Sequence, residues 1–455
     1  MQAPQGLTAL PQAFNVGSGD ANVTRPDTHR NRPMHRCLAL IALLAGASAG
    51  AAGLSSAERK IVAAIDANHA AAMALIAEAV NIQSATENHA GVRKVGDVFA
   101  RELAALGFET HWVDLQSQVG RAGHLVAVHR GNRGKRLLLI GHLDTVLQGE
   151  AFRVEGDRAY GTGISDMKGG DVIVVEALRA LHATGALKGR QVIVVFTGDE
   201  EDTGAPQSES RKALFEAAAE SDVALAFEGA APGVAVVGRR GIGSWRLHVT
   251  GEQAHSSGIF RESRGYGAIF ETARILDRFR VDLLEQYLTY NPSVMVGGTN
   301  VAFDPATSSG TALGKTNVIP REAYVTGDIR FLTAEQFEAT HARMEAIVAE
   351  HLPKTSASIA VETEYPSMAP TDGNRKVLAV LDAVSRDLGA GPIVAQDPGE
   401  RGAGDISFVC TGRLACLDGL GAMGENDHAP GEYMETPSMP MLTQRAALLI
   451  YRLTR

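Results

Sequence analysis

The chain has 455 residues, with 43 Lys and Arg against 52 Asp and Glu, for a formal net charge of −9. It is 45% apolar, 21% charged and 5% aromatic, the composition of a globular protein of more than one domain and not of a disordered chain. The acidic balance gives no support to nucleic-acid binding, and three Cys are too few for a disulfide scaffold or a Cys-rich zinc module.

Residues 1–53 read as a leader. Positions 1–33 are polar and aperiodic. The basic Met34-His35-Arg36 then precedes an apolar run at 37–44 and the small residues 45–49. A cationic start, a short apolar stretch and a small-residue exit predict a secretory signal peptide at 34–49, with Met34 as an alternative start. A buried N-terminal helix is the competing reading. The apolar run is too short for a comfortable bilayer span. The mature chain is therefore expected to be secreted or periplasmic, with no stable membrane span. There Cys410 and Cys416 either close one small disulfide loop or stay free, because spacing does not determine geometry.

Beyond the leader, Ile61, Ala64, Ile65, Ala72, Met73, Ile76 and Val80 keep one helical face over 54–80, and a second helix is expected over 91–106. Apolar runs bounded by glycine at 137–140, 192–196 and 223–227 predict buried strands, with helices at 169–184 and 209–220 between them. This alternation predicts an α/β fold with a mostly parallel central sheet. The texture changes after Gly241. A half-exposed strand at 244–250 is followed by a helix at 265–279 and strands near 293–302 and 323–331. A helix at 334–351 and a strand at 356–363 complete a β-α-β-β-α-β order that suits a small ferredoxin-like α+β domain. The stretch 291–314 is longer than a plain hairpin needs. The reading is an α/β/α domain at 54–240 and 367–455, interrupted by an inserted α+β domain at 241–366.

Acids and imidazoles stand where the strands end. His142 and Asp144 follow the 137–140 run and, two apart in extended chain, project to one side. Asp166 lies in a glycine-rich stretch, 161–170, that opens a helix; it either caps that helix or bridges two cations. The phosphate-loop order G-x-x-x-x-G-K-[ST] is absent. Asp199, Glu200, Glu201 and Asp202 follow the 192–196 strand, where open α/β sheets place their sites. Such a run is either a solvated turn or a cluster neutralised by cations. Glu228 follows the next strand, and His428 sits near the C-terminus. The set His142, Asp166, Glu201, Glu228 and His428 offers two imidazoles and three carboxylates, suited to zinc, with cobalt or manganese as alternatives. Glu200 is left over as a general base.

These motifs, from Gly141 to Val146, Gly161 to Gly170, Asp199 to Glu201, Phe227-Glu228 and His428, resemble a known family over about residues 57–455. It comprises di-zinc exopeptidases and amidohydrolases such as bacterial glutamate carboxypeptidase, acetylornithine deacetylase, succinyl-diaminopimelate desuccinylase and the aminoacylases. Glu at 228 makes the pattern most similar to the glutamate carboxypeptidase type. The resemblance implies that His142, Asp166 and Glu228 hold one zinc and that Asp166, Glu201 and His428 hold the other. Asp144 would orient His142, Glu200 would act as general base on a metal-bridging water, and the Asp166–Met167 peptide would be cis. It implies that the inserted domain is a lid and dimerisation domain and that His255, from the partner subunit of a homodimer, stabilises the oxyanion. Asn317 and Arg330 would clamp the substrate, the guanidinium gripping a carboxylate bidentately, beside a glycine loop at Gly404. Taken alone, His255 reads equally as a polar loop residue and Arg330 as a surface arginine at a strand end. The function implied is an exported zinc-dependent, carboxypeptidase-like hydrolase. It would cleave an amide or peptide bond next to a free carboxylate in a small peptide or N-acyl amino acid. The alternatives are an N-acyl-amino-acid deacylase or dipeptidase with the same centre, and a non-catalytic binding protein on the same fold.

Overall fold

The structure, a computed structural model, describes residues 53–455. The signal peptide expected at 34–49, Met34 and Cys37 lie outside the described residues.

The described chain begins with α1 (Ser56–Val80), started by a reciprocal capping box between Ser55 and Glu58. By length and hydropathy α1 is apolar enough to cross a membrane. Its apolar face, however, including Ile61, Ile65, Leu75 and Ile76, is buried in the largest core cluster, as a core helix requires. Next come α2 (His89–Ala105), β1 (Glu109–Asp114), β2 (Gly123–His129), β3 (Arg133–His142), α3 (Gly169–Ala183), β4 (Arg190–Thr197) and β5 (Val223–Ala226). The insertion supplies β6 (Gly241–Gly251), α4 (Gly267–Asp282), β7 (Thr289–Gly298), β8 (Asn300–Asp304), β9 (Ser309–Leu313), β10 (Glu322–Phe331), α5 (Ala334–Ala349) and β11 (Thr355–Tyr365). The chain then returns through α6 (Asp372–Asp387), β12 (Ala415–Leu417) and α7 (Met439–Thr454).

The central sheet has the order β1-β2-β4-β3-β5-β12. β4, β3, β5 and β12 are mutually parallel, whereas β2 is antiparallel to both its neighbours. Past the polar starts of β3 and β4, the parallel strands are apolar and largely buried on both sides, as sheets covered by helices on two faces must be. Because β12 follows the insertion in sequence, segments on both sides of 241–365 build this one sheet. The second sheet has the order β7-β10-β6-β11 and is antiparallel throughout. In chain order that is second, third, first, fourth, the ferredoxin-like arrangement. α4 and α5 cover one face, burying Trp245, Leu247, Val249, Ile275 and Phe279.

Three expectations change in detail. The helix expected over 209–220 is two, Gln207–Ser210 and Lys212–Ala219, and the break falls where Ser210 and Arg211 turn inward to bond the buried Asp199. The strand expected near 293–302 is also two. The chain leaves the sheet after Gly298, and β8 pairs instead with β9 in an extra hairpin, which accounts for the length of 291–314. Strands β1, β2 and β12 were not anticipated: β1 has no buried residue and β12 has three residues. Cys410 and Cys416 are joined in a disulfide.

Candidate metal centre

Three neighbouring strands deliver the site. β3 ends at His142, whose register partner is Thr197 at the end of β4. β5 lies on the other side of β3, and Phe227 continues its ladder by donating to the Ile140 carbonyl at 3.1 Å. His142, the 199–201 turn and Glu228 therefore emerge side by side from the carboxyl ends of adjacent parallel strands. Asp166 comes from the turn that opens α3. It does not cap that helix: Lys168 occupies the cap position without a side-chain bond. The Asp166–Met167 peptide is cis.

The carboxylate of Asp166 lies between the two imidazoles. Its Oδ1 is 3.0 Å from His142 Nε2, and its Oδ2 is 3.0 Å from His428 Nε2. His142 Nε2 is also 3.8 Å from Glu228 Oε1, and His428 Nε2 is 3.1 Å from Glu201 Oε2. Two donors on one tetrahedral ion at about 2.1 Å sit roughly 3.4 Å apart, so these separations suit shared cations on each side of Asp166. His142, Asp166 and Glu201 can each bring a ligand atom within 4.8 Å of the others. Glu201 Oε1 is buried without a hydrogen-bond partner, as a donor reserved for an ion would be. The residues present thus fit a pair of divalent cations held by oxygen and imidazole nitrogen. The structure brings all five expected ligands together.

The electrostatics agree. Burial works against a charged His142, but hydrogen bonds to Asp144 and Asp166 raise its pKa well above the ordinary imidazole value. The Asp166 and Glu201 carboxylates raise His428 to about 11. Burial, reinforced by the charge of Asp166, pushes Glu228 up to about 8. Burial also drives Glu200 well above the usual carboxylate range, with Glu228, Asp405 and Glu201 adding to the rise. An acid-rich, poorly solvated cluster of this kind attracts cations strongly.

Asp144 is fully buried. Its carboxylate accepts from the Thr86 hydroxyl at 2.7 Å and from the Glu200 and Glu201 amides at 3.1 Å each. His142 Nδ1 lies 3.1 Å from the Asp144 carbonyl oxygen and 3.6 Å from Oδ1. With a proton on Nδ1, Nε2 is left free to ligate. Asp144 therefore orients the imidazole through its carbonyl oxygen, with the carboxylate charge alongside, and pins the backbone of the acidic turn through its carboxylate.

The remaining expected residues are His255, Asn317, Arg330 and Gly404. His255 is exposed, and its Nδ1 bonds within its own turn to Ser257. Asn317 is exposed on the adjoining segment, its carbonyl accepting from the Ser256 amide at 2.9 Å. Arg330, at the end of β10, donates from Nε to Asp328 at 3.1 Å. Among the described residues, no hydrogen bond of these three reaches the acid–imidazole cluster. Gly404 is buried, and a side chain there would come within 3.3 Å of the Arg239 guanidinium.

Several supporting residues escaped the sequence reading. Glu432 gathers the amides of Gly163, Ser165 and Asp166 at 2.6, 2.8 and 3.1 Å, so the segment that carries His428 also fixes the turn that carries Asp166. Arg211, fully buried, bonds Asp199 and lies 2.7 Å from Asp405. Arg239 bonds Asp418 and the carbonyls of Gly402 and Ala403. No local pattern marks these residues, because each acts through a partner distant in sequence.

A parallel-sheet fold with imidazoles and carboxylates converging at its strand ends defines a metallohydrolase. Residues 138–452, well over half of the chain, match the profile of peptidase family M20/M25/M40, and the chain belongs to that family. It is 28% identical over 438 residues to carboxypeptidase G2 of Pseudomonas sp. (strain RS-16), covering 94% of this chain and 98% of that one. It is 27% identical over 391 residues to succinyl-diaminopimelate desuccinylase of Gluconobacter oxydans, covering 82% and 94%. The fold is similar to that of aminopeptidase PepT from Bacillus cereus, with a TM-score of 0.69 at 19% identity over 85% of this chain and 99% of that one. It is also similar to the YXEP protein of Bacillus subtilis, a dinuclear metal-binding peptidase of the M20 family. There the TM-score is 0.61 at 15% identity, over 86% and 99%.

Proposed function

We propose that this protein is an exported, zinc-dependent hydrolase of amide or peptide bonds next to a free carboxylate, of the carboxypeptidase type. The observation that carries the reading is the placement of Asp166 between His142 and His428, with Glu201, Glu228 and Glu200 on the same strand ends. The near-full-length likeness to carboxypeptidase G2 supports the carboxypeptidase choice. In this reading His142, Asp166 and Glu228 would hold one ion, and Asp166, Glu201 and His428 would hold the other. Bound ions would polarise the scissile carbonyl and acidify water. Glu200 takes a proton from the attacking water and returns it to the leaving amine, a role that suits a carboxyl raised by burial. Arg330 and Asn317 grip the substrate carboxylate beside Gly404.

His255 in the lid, 241–366, is exposed and bonds only within its own turn, which is the reason to read the enzyme as a homodimer in which the partner subunit's His255 stabilises the oxyanion. Exposed Phe260, Ile269, Phe270, Met295 and Leu313 give the lid an apolar surface for such a contact. Phe260 and Phe270 stack edge to face with centroids 5.3 Å apart. Export rests on the leader and is supported by the Cys410–Cys416 disulfide, which belongs in an oxidising compartment.

The test is a panel of dipeptides and N-acyl amino acids, each as free acid and as C-terminal amide, with the zinc-loaded protein. Cleavage confined to the free acids is expected, as is loss of most turnover in Glu200→Gln at full metal content. Substantial activity in that variant would exclude Glu200 as the base. The likeness to desuccinylases favours a second reading, an N-acyl-amino-acid deacylase, which predicts that N-acyl compounds outpace dipeptides.

A further inference from the structure

One contact joins the inserted sheet to the acidic turn. Tyr365 is the last residue of β11, and its hydroxyl donates to the Glu200 carbonyl at 3.1 Å. The same hydroxyl touches the Thr203 hydroxyl, which in turn accepts from Arg211 Nη2 at 3.0 Å. Arg211, Thr203 and Tyr365 thus line up toward the backbone of Glu200. Both ends are anchored. Arg211 is fully buried against Asp199, and the Tyr365 ring packs on Phe408 with centroids 5.1 Å apart.

Register gives the contact a second meaning. Tyr365 pairs with Ile242 across one edge of β6, and Arg330 pairs with Ile242 across the other. Tyr365 and Arg330 therefore stand in one row at the same end of the inserted sheet. Both residues are thus tied to one residue of β6, although the β11 ladder shifts register between Thr363 and Tyr365.

We propose that Tyr365 is a positioning residue that ties the backbone of the general base to the sheet row carrying the substrate-carboxylate clamp, so that base and clamp keep one spacing. This rests on the proposed roles of Glu200 and Arg330 and extends them to how the two are held in step. The hydroxyl touches no reacting atom; it acts through Glu200.

The experiment compares wild type, Tyr365→Phe, Glu200→Gln and the double variant on the best-cleaved free acid of the substrate panel. Phe keeps the ring on Phe408 and removes only the hydroxyl. The expected result is a fall of about tenfold in kcat, the rate equivalent of about 1.4 kcal/mol. KM should stay within twofold, with zinc content and melting temperature unchanged, because an interaction expressed only through the base lowers kcat and kcat/KM together. In the Glu200→Gln background, Tyr365→Phe is expected to change the residual rate by less than twofold, since the group it acts through is gone. Thr203→Val, which removes the relay and keeps the Tyr365 bond, is expected to give a smaller loss of the same kind. A Tyr365→Phe enzyme within twofold of wild-type kcat overturns the proposal, as does an equal tenfold loss with and without Glu200. If Glu200→Gln itself turns over normally, the base assignment fails instead, and the two failures are told apart in one set of assays.

Discussion

Asp144→Asn probes two functions of one buried carboxylate. The wild-type side chain accepts three hydrogen bonds: from the Glu200 amide on Oδ1, and from the Glu201 amide and the Thr86 hydroxyl on Oδ2. Asparagine keeps one oxygen. The less costly orientation puts the oxygen at the Oδ2 position, which leaves the Glu200 amide facing an NH2 group. One buried donor without an acceptor costs about 1–3 kcal/mol, and the two retained bonds change from charged to neutral acceptors at about 1 kcal/mol each. The sum is about 3–5 kcal/mol, to be read from urea unfolding of the metal-free protein. Separately, the group that orients His142 is weakened, and such changes typically cost 10–100-fold in metal affinity, to be read by zinc titration against a competing chelator. The two readouts are independent, because the first concerns the acidic turn and the second concerns the imidazole. Loss of less than about 1 kcal/mol together with unchanged zinc affinity would refute the geometry assigned to Asp144.

Three further outcomes follow from buried charge and exposed apolar surface. Asp171 is fully buried, with neither carboxyl oxygen hydrogen-bonded, and burial drives its pKa well above 3.8. The native state therefore keeps a proton that the unfolded chain has lost. The stability this group contributes is complete below about pH 3.9 and declines as pH rises toward the native value, at up to about 1.4 kcal/mol per pH unit. Asp171→Asn removes that term, so the stability difference between variant and wild type should widen in favour of the variant as pH rises above about 3.9; parallel urea-stability curves would contradict the assignment. Arg211→Met leaves Asp199 and Asp405 buried without their cation and should cost about 3–5 kcal/mol, whereas a loss under about 1 kcal/mol would mean the pair is not ionised as drawn. Phe270→Lys places a charge on the exposed apolar surface of α4 and should yield monomers in sedimentation, with turnover down more than tenfold; a monomer of full activity would remove the partner subunit's His255 from the mechanism.

The parts of the fold that were legible are those whose periodicity is strong. The 137–140, 192–196 and 223–227 runs are buried on both sides and read as strands without help. β1 was hidden because none of its residues is buried and most are polar, with no apolar alternation to mark it. The order β4-β3-β5 was not legible either, although it brings the acids together, because strand order is set by which helices pack on which face. Three of the five expected ligands, His142, Glu201 and Glu228, were legible as donors just past apolar strand runs, and Asp166 stood out by its glycine-rich turn. What holds those donors leaves no local mark: Glu432 reaches back 266 residues to the Asp166 amide, and Arg211 joins Asp199 to Asp405 across the sheet.

That contrast bears on how the acids are tolerated at all. Asp199, first of the run, faces away from the cluster and is neutralised by Arg211, with Ser210 and the Gly204 amide as further donors at 2.7 and 2.9 Å. Glu200 and Glu201 point into the site, and Asp202 turns to the surface and pairs with Arg121 at 2.5 Å. Four consecutive acids thus divide their charge among a buried arginine, the cation site and a surface arginine. Only the middle two raise the local negative potential, and they do so where the imidazoles of His142 and His428 already converge on Asp166. A run that looks like uniform repulsion in the sequence is in three dimensions two anchored acids flanking two that face the candidate metal site.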